Sequence, residues 1–107
     1  MSIDKNGRKR TPGSIEATLY RVLAESKGGQ NRVRILQALR DRPRNANQLA
    51  EELRLDYKTV RYHLGVLQNE HLVTDTGDDY GAVYFPADRV RHNWNIVEAI
   101  ASRRDSP

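Results

Sequence analysis

The chain has 107 residues and no cysteine, which suits a single domain and excludes disulfide staples and thiolate metal sites. Its net charge is +4, and arginine is the predominant cation. Guanidinium groups suit phosphate oxygens and guanine edges, so this charge fits a nucleic-acid partner, and equally a solvated basic surface. No apolar run approaches the ~20 residues that span a membrane, and the polar start shows no signal peptide, so we expect a cytoplasmic protein without membrane contact.

The first part of the chain is predicted to be an arm followed by two helices. Residues 1–13 are polar and basic without apolar periodicity, which predicts a flexible arm ahead of a folded domain over 14–107. Ser14 is a suitable cap for a first helix with an apolar stripe, which ends at a pair of glycines. A second helix is predicted over 30–40, and Pro43 prevents its continuation.

The segment 46–69 is predicted to form two helices joined by a tight turn. Asn45 precedes Gln48 by three residues, a capping-box spacing that opens a short helix. Asp56 is predicted to cap the next helix, over 57–69, because its carboxylate can accept from the free N–H groups of the first turn. Two helices in this order are typical of a helix-turn-helix, which places its second helix in the major groove of DNA.

Beyond the two helices, the apolar pattern changes from helical to alternating. β-prone runs at 72–74 and 82–85 flank a turn rich in Gly and Asp, which predicts a β-hairpin, or wing, over 72–86. Pro86 is predicted to end the second strand. A last helix is predicted over 87–102, with an apolar stripe suited to dimerisation.

Residues 47–67, NQLAEELRLDYKTVRYHLGVL, resemble the helix-turn-helix of the arsenic-repressor-like (ArsR) family, and EHLV at 70–73 looks like the start of that family's wing. Related archaeal and bacterial regulators look similar, and the resemblance extends over roughly 30–85. It implies a mainly α fold with a small β-hairpin: a winged helix-turn-helix with additional N- and C-terminal helices. It also implies a dimeric, prokaryotic transcriptional regulator that binds operator DNA.

The second helix of the motif is predicted to present a polar side to DNA. Val60, Leu64 and Leu67 form one apolar line, and Lys58 and Tyr62 fall on the opposite side. A cation and a phenol there can reach base edges or phosphates in a major groove. The candidate DNA-contact residues are Asn47, Gln48, Arg54, Lys58, Thr59, Arg61, Tyr62 and His63. Taken singly, each is otherwise explained as a solvated surface position.

The predicted wing is acidic, which is unusual for a wing that touches DNA. Asp75, Asp78 and Asp79 lie at its tip, and carboxylates repel phosphate. We therefore expect the wing to make few DNA contacts or to serve a protein partner. The basic residues at 8–10 of the arm are an alternative source of a minor-groove contact.

The first and last helices carry apolar stripes beyond what the central motif needs. They predict a two-fold dimer whose recognition helices meet half-sites about 34–36 Å apart. The same stripes are also explained by packing onto the chain's own core. The candidate dimer-interface residues are Ile15, Leu19, Val22, Val90, Trp94, Val97 and Ile100.

Neither a metal site, nor a cofactor, nor an active site is predicted. Asp88 and His92 have an i, i+4 spacing that can hold two ligands, but no third or fourth ligand accompanies them, and an exposed pair explains them better. The chain has no glycine-rich phosphate loop, HExxH motif or nucleophile elbow, so we expect no enzymatic activity and no catalytic residues.

Two other classes of function remain open at this stage. The acidic wing and apolar helices also suit a protein-interaction module of a transcription or replication complex, and a regulator could itself contact the transcription machinery. RNA binding is the third class, and it is disfavoured because A-form RNA closes its major groove to side chains. Salt-dependent binding to duplex DNA distinguishes the first class from the second.

Overall fold

The computed structural model describes residues 2–3, 9–10, 14–77 and 81–105, and it confirms the predicted fold class. Most of the described chain is helical, and β3 and β4 form the antiparallel hairpin. The elements in chain order are β1 (Ser2–Ile3), β2 (Lys9–Arg10), α1 (Ile15–Leu19), a π-helical turn (Tyr20–Ala24), α2 (Gly29–Asp41), α3 (Ala46–Leu53), α4 (Tyr57–Asn69), β3 (Val73–Asp75), β4 (Tyr84–Pro86), α5 (Asp88–Arg91) and α6 (Trp94–Asp105).

The segment predicted as a flexible arm differs from that expectation where it is described. Ser2 pairs with Arg10 and Ile3 with Lys9, so β1 and β2 form a short antiparallel ladder. The rest of the arm, including Arg8, lies outside the described residues.

The predicted helix starts are confirmed by their side-chain caps. Ser14 Oγ accepts from the Ala17 N–H at 3.1 Å. Asn45 and Gln48 form a reciprocal capping box, with both hydrogen bonds at 2.8 Å. Asp56 caps α4 by accepting from the Lys58 N–H at 3.1 Å. Each cap satisfies donors that the first turn leaves free, so these helices begin where the sequence indicates.

Arginine side chains cover several of the carbonyl ends of the helices. Arg34 donates to the Leu53 carbonyl at the end of α3, at 2.7 Å. Arg104 donates to the Leu23 carbonyl in the π-helical turn, also at 2.7 Å. A guanidinium suits this position because the last carbonyls lack backbone partners and carry partial negative charge. Part of the chain's positive charge therefore serves the fold.

The apolar stripes of the first and last helices belong to the chain's own core. Six of the seven side chains predicted at a dimer interface are buried in the single chain: Leu19, Val22, Val90, Trp94, Val97 and Ile100. Ile15 alone among the seven is only partly buried. Buried side chains have no surface left to offer a partner, so this prediction is corrected: the stripes close the domain on itself.

The wing and the last helix also differ in detail from the sequence prediction. Val73 pairs with Pro86 and Asp75 with Tyr84, so β4 ends at Pro86 as the sequence predicts but begins at Tyr84 instead of residue 82. The last helix is split into α5 and α6, because the Asn93 side chain donates to the Arg89 carbonyl at 2.7 Å in competition with the backbone. None of the described helices has the length and apolar character needed to cross a bilayer.

Candidate nucleic-acid interface

The turn between α3 and α4 sets the direction of the second helix. Arg54 adopts a left-handed backbone conformation, with φ of 55°, and ends α3. The Leu55 N–H then donates to the Ala50 carbonyl at 3.0 Å. The Arg54 N–H also donates to the Glu51 carbonyl, at 3.3 Å, so this is the Schellman type of helix termination, with arginine at a place usually taken by glycine or asparagine. The Arg54 side chain is exposed beside the start of α4.

Helix α4 has one buried side and one solvent-facing side, as the sequence predicts. Val60, Leu64 and Leu67 are each no more than 1% exposed. On the other side, Lys58 is exposed and the Tyr62 side chain is 65% exposed. A surface that combines a cation with a phenol is suited to contact phosphates and base edges in a groove.

Tyr57 is a candidate contact that the predicted DNA-contact residues do not include. The structure leaves it 46% exposed. It occupies the first position of the helix, and helical side chains lean toward the N-terminus, so its ring passes the edge of the core. Its place directly after the cap was the signal that could have identified it.

At the start of α3, Asn47 and Gln48 are both exposed. Gln48 is committed to the capping box through its Oε1 atom. Asn47 lies in the first turn, where free N–H groups and the helix dipole favour an anion. Asn47, the backbone of this turn and the Nε2 amide of Gln48 are the groups here that can donate to a phosphate.

His63 is placed differently from the other predicted contacts. It is 5% exposed, and its Nδ1 lies 3.1 Å from Nη1 of Arg32, which is itself buried. Arginine can only donate, so His63 accepts and holds its own proton on Nε2. Burial, and then the Arg32 charge, lowers the pKa of His63. The prediction of His63 as a DNA contact is therefore wrong in this structure: it joins α4 to α2.

Arg32 is enclosed by carbonyl and glycine neighbours. Its Nε donates to the Val22 carbonyl at 3.1 Å, in the middle of the π-helical turn. A Cβ atom placed on Gly28 would lie 2.5 Å from Arg32 Nη1 and 2.7 Å from His63 Cε1. The bare glycine backbone therefore lets the loop before α2 close over the Arg32–His63 pair.

Arg61 and Thr59 are intermediate cases among the predicted contacts. Thr59 is partly buried on the flank of α4. Arg61 is exposed, and its Nη1 donates to the hydroxyl of Tyr84 in the wing at 2.7 Å. The other nitrogens of its guanidinium remain able to donate to a ligand.

A polar cleft of about 370 Å³ separates the start of α3, the side of α4 and the wing. Its lining includes Asn47, Tyr57, Arg61, Gln68 and Asp75. The Asp75 carboxylate is turned inward, accepting from Gln68 Nε2 at 2.7 Å and from the Gly77 N–H at 2.9 Å. The other two wing-tip acids, at 78 and 79, lie outside the described residues.

The described part of the chain brings no three His, Asp or Glu side chains together in a group that could hold a metal ion. Asp88 and His92 are both exposed, and the His92 N–H donates a backbone hydrogen bond to the Asp88 carbonyl at 2.9 Å. The pair is thus explained by the helical turn of α5.

Comparison with known proteins gives a family for the central segment. Residues 29–75 match the model of the bacterial regulatory protein arsR family. This match covers α2, the helix-turn-helix and β3. No curated protein matches the chain.

Solved structures of regulators share the fold at low sequence identity. The transcriptional regulator HlyU from Vibrio vulnificus is 20% identical, with a TM-score of 0.64 over 78% of this chain and 84% of that one. The homodimeric winged helix-turn-helix DNA-binding domain of a possible ArsR-family regulator from Mycobacterium bovis is 20% identical, with a TM-score of 0.63 over 82% and 79%. An ArsR-like transcriptional regulator from Rhodococcus is 22% identical, with a TM-score of 0.59 over 84% and 82%.

The fold, the motif and the comparisons agree. The helix-turn-helix lies inside the matched segment, and the wing follows it directly. The chain is therefore a winged helix-turn-helix protein that resembles, over residues 29–75, the arsR family of bacterial transcriptional regulators.

Proposed function

We propose that the chain is a transcriptional regulator that binds specific sites on duplex DNA in the cytoplasm, with α4 in the major groove. The observation that carries this proposal is the two-sided character of α4. Its apolar line is buried, while Lys58 and Tyr62 are exposed to solvent among the described residues. A solvated helix of this polarity next to a second helix has the shape that a major groove admits.

The exposed residues divide into two roles. Lys58 and Arg54 supply charge for phosphates, and the start of α3 at Asn47 supplies free N–H groups for another phosphate. Tyr62 and Tyr57 supply ring edges and hydroxyl groups that can meet bases, including the thymine methyl group. Arg61 donates to Tyr84 of the wing, and its role is developed below.

We also propose that the chain acts as a homodimer. The related domain from Mycobacterium bovis is described as homodimeric. Because the predicted interface side chains are buried within the chain, the contact would use the outer faces of α1 and α6, where Ile15 and Ile96 are partly exposed and Ala99 is exposed. Light scattering at micromolar concentration tests this, and a monomeric mass contradicts it.

The DNA-binding proposal is tested by selecting bound sites from random duplexes and measuring affinity for the selected site and for random DNA. Lys58→Ala and Tyr62→Ala are expected to weaken the selected site more than random DNA. Both side chains are exposed, so neither change removes core packing. Lys27→Ala removes an exposed lysine outside α3 and α4 and is the matched control, with affinity unchanged.

Salt dependence gives the second readout. Affinity for duplex DNA is expected to fall steeply with salt, as counterions are released from the phosphates. A wild-type protein that shows no salt-dependent affinity for any duplex contradicts the proposal, and favours a winged helix used for binding protein. Equal loss on selected and random DNA in both variants restricts Lys58 and Tyr62 to backbone contacts.

A further inference from the structure

The wing is tied to the recognition helix by two side-chain hydrogen bonds. Arg61 Nη1 donates to the Tyr84 hydroxyl, and Gln68 Nε2 donates to the Asp75 carboxylate, each at 2.7 Å. Arg61 and Gln68 are seven residues apart, two helical turns, so they lie on the same side of α4. All four residues line the cleft between α4 and the wing.

Tyr84 is the fixed partner in the first of these bonds. Its side chain is 3% exposed, and its backbone exchanges hydrogen bonds with Arg44, at 2.8 Å and 3.2 Å. The Arg44 side chain is in turn held by Glu52 and by the Ala38 carbonyl. The Tyr84 hydroxyl is therefore anchored through β4 to α2 and α3.

Arg61 is the partner whose side-chain conformational freedom the hydrogen bond restricts. It is exposed, and a long guanidinium side chain at a surface populates many rotamers. Within the described residues Arg61 takes part in none of the ion pairs, so its charge is available to a polyanion. The bond to Tyr84 restricts the direction of its planar fork before any ligand arrives.

We propose that the Tyr84 hydroxyl is a positioning group for DNA recognition, which holds the Arg61 guanidinium so that its remaining N–H groups meet a guanine edge. This proposal rests on the DNA-binding function proposed above. Prior orientation matters where two hydrogen bonds must align, as at guanine O6 and N7, and matters little for a phosphate, which a swinging cation can reach. The wing thus serves sequence recognition through Arg61, while the Asp75 carboxylate is held by Gln68 and by the Gly77 N–H.

The experiment is a double-mutant cycle on DNA affinity, with the selected duplex, the same duplex with its guanines changed one at a time, and random DNA. Tyr84→Phe keeps the buried ring and removes the hydroxyl. Arg61→Ala removes the guanidinium, and the double variant removes both. Tyr20→Phe removes a phenol hydroxyl from the π-helical turn, outside α3, α4 and the wing, and is the matched control.

The expected result is a loss of about tenfold on the selected site for Tyr84→Phe, a factor that corresponds to 1.4 kcal/mol. Arg61→Ala is expected to lose at least as much, and the double variant no more than Arg61→Ala alone. Changing one guanine is expected to weaken the wild type and to leave Arg61→Ala unaffected. Tyr20→Phe is expected to bind as the wild type does.

The failures are distinguishable. If the wild type binds no duplex, the proposed function fails. If the wild type binds but Tyr84→Phe matches it, or if the two losses simply add, then Tyr84 does not act through Arg61 and this inference alone is overturned. Equal losses on selected and random DNA overturn the guanine contact.

A readout on the free protein covers the case in which Tyr84→Phe loses its fold. The Arg61 guanidinium resonances in the wild type are expected to show slowed rotation and slowed exchange with water, since Nη1 is held by the Tyr84 hydroxyl. Guanidinium resonances as mobile as those of exposed Arg103 overturn the proposal without any variant.

Discussion

Gly65 offers a direct test of how α4 is packed. It lies in the middle of a regular helix, its φ is not positive, and a Cβ atom built on it meets no atom within 4 Å. Glycine in a helix interior costs about 0.8–1.0 kcal/mol relative to alanine. Gly65→Ala is therefore expected to add about 1 kcal/mol to the free energy of unfolding, since the methyl group brings no overlap.

For a chain of 107 residues, an unfolding entropy of about 2.1 cal/mol/K per residue converts this gain into a rise of about 4 °C in Tm. Thermal unfolding followed by circular dichroism measures it. The matched control is Gly29→Ala, where the same added methyl would overlap the Leu23 carbonyl oxygen. That variant is expected to unfold at lower temperature. If the Tm of Gly65→Ala is unchanged or lower, the conclusion that residue 65 has space for a methyl group is refuted.

The same variant reports on the DNA complex. Affinity for the selected duplex is expected to be unchanged, because Gly65 is explained as a tolerated glycine. A variant that gains stability but loses DNA affinity would instead mean that the DNA backbone passes close to this part of α4.

Two further predictions concern the caps and the buried histidine. Asn45→Ala removes the capping-box bond that the Asn45 side chain accepts from the Gln48 N–H, while the backbone N–H of residue 45 can still donate to Gln48 Oε1. The change is expected to cost about 1 kcal/mol in urea unfolding, and an unchanged free energy of unfolding would contradict the cap's role. Because burial and then Arg32 lower the pKa of His63, the unfolded state binds its proton more readily. Stability is therefore expected to be full above the unfolded pKa of about 6.5 and to decline as pH falls from there toward the folded pKa. His63→Asn, compared with the wild type at pH 7.5 and 5.5, is expected to show a smaller decline, and an equal decline in both proteins would contradict this assignment.

Local signals predicted the helix-turn-helix well because its boundaries are set by near neighbours in the chain. The Asn45–Gln48 box and the Asp56 cap each act within three residues, so spacing alone locates them. The apolar line of α4 is equally local, since its three buried residues recur with the period of one helix. Sequence reasoning therefore placed Lys58 and Tyr62 correctly on the exposed side.

The errors arose where the deciding partner is distant in sequence. His63 meets Arg32 across 31 residues, and Arg104 meets the Leu23 carbonyl across 81. The periodicity of the sequence does not predict such contacts. The position of a polar residue on a helical wheel does not show that it will contact a buried cation from another helix. The assignment of the seven side chains to a dimer interface has the same limitation in its source: an apolar stripe shows that a face is covered, and only the tertiary fold shows that, for six of the seven, the chain's own core covers it.

Net charge, for this chain, overstates the charge available to DNA. Several arginines are committed to carbonyls, to an ion pair or to an aromatic ring, namely Arg32, Arg34, Arg40, Arg44 and Arg104. On the described face of α3 and α4, the exposed cations are Arg54, Lys58 and Arg61. With so few charges, each phosphate contact supplies a large fraction of the salt-dependent affinity. Replacing any one of these three side chains by alanine should therefore change the slope of log affinity against log salt concentration, if that side chain contacts a phosphate. If Arg61 contacts a base instead, Arg61→Ala would leave that slope nearly unchanged and would abolish the preference for guanine. The slope and the guanine preference are therefore separate tests of the same side chain.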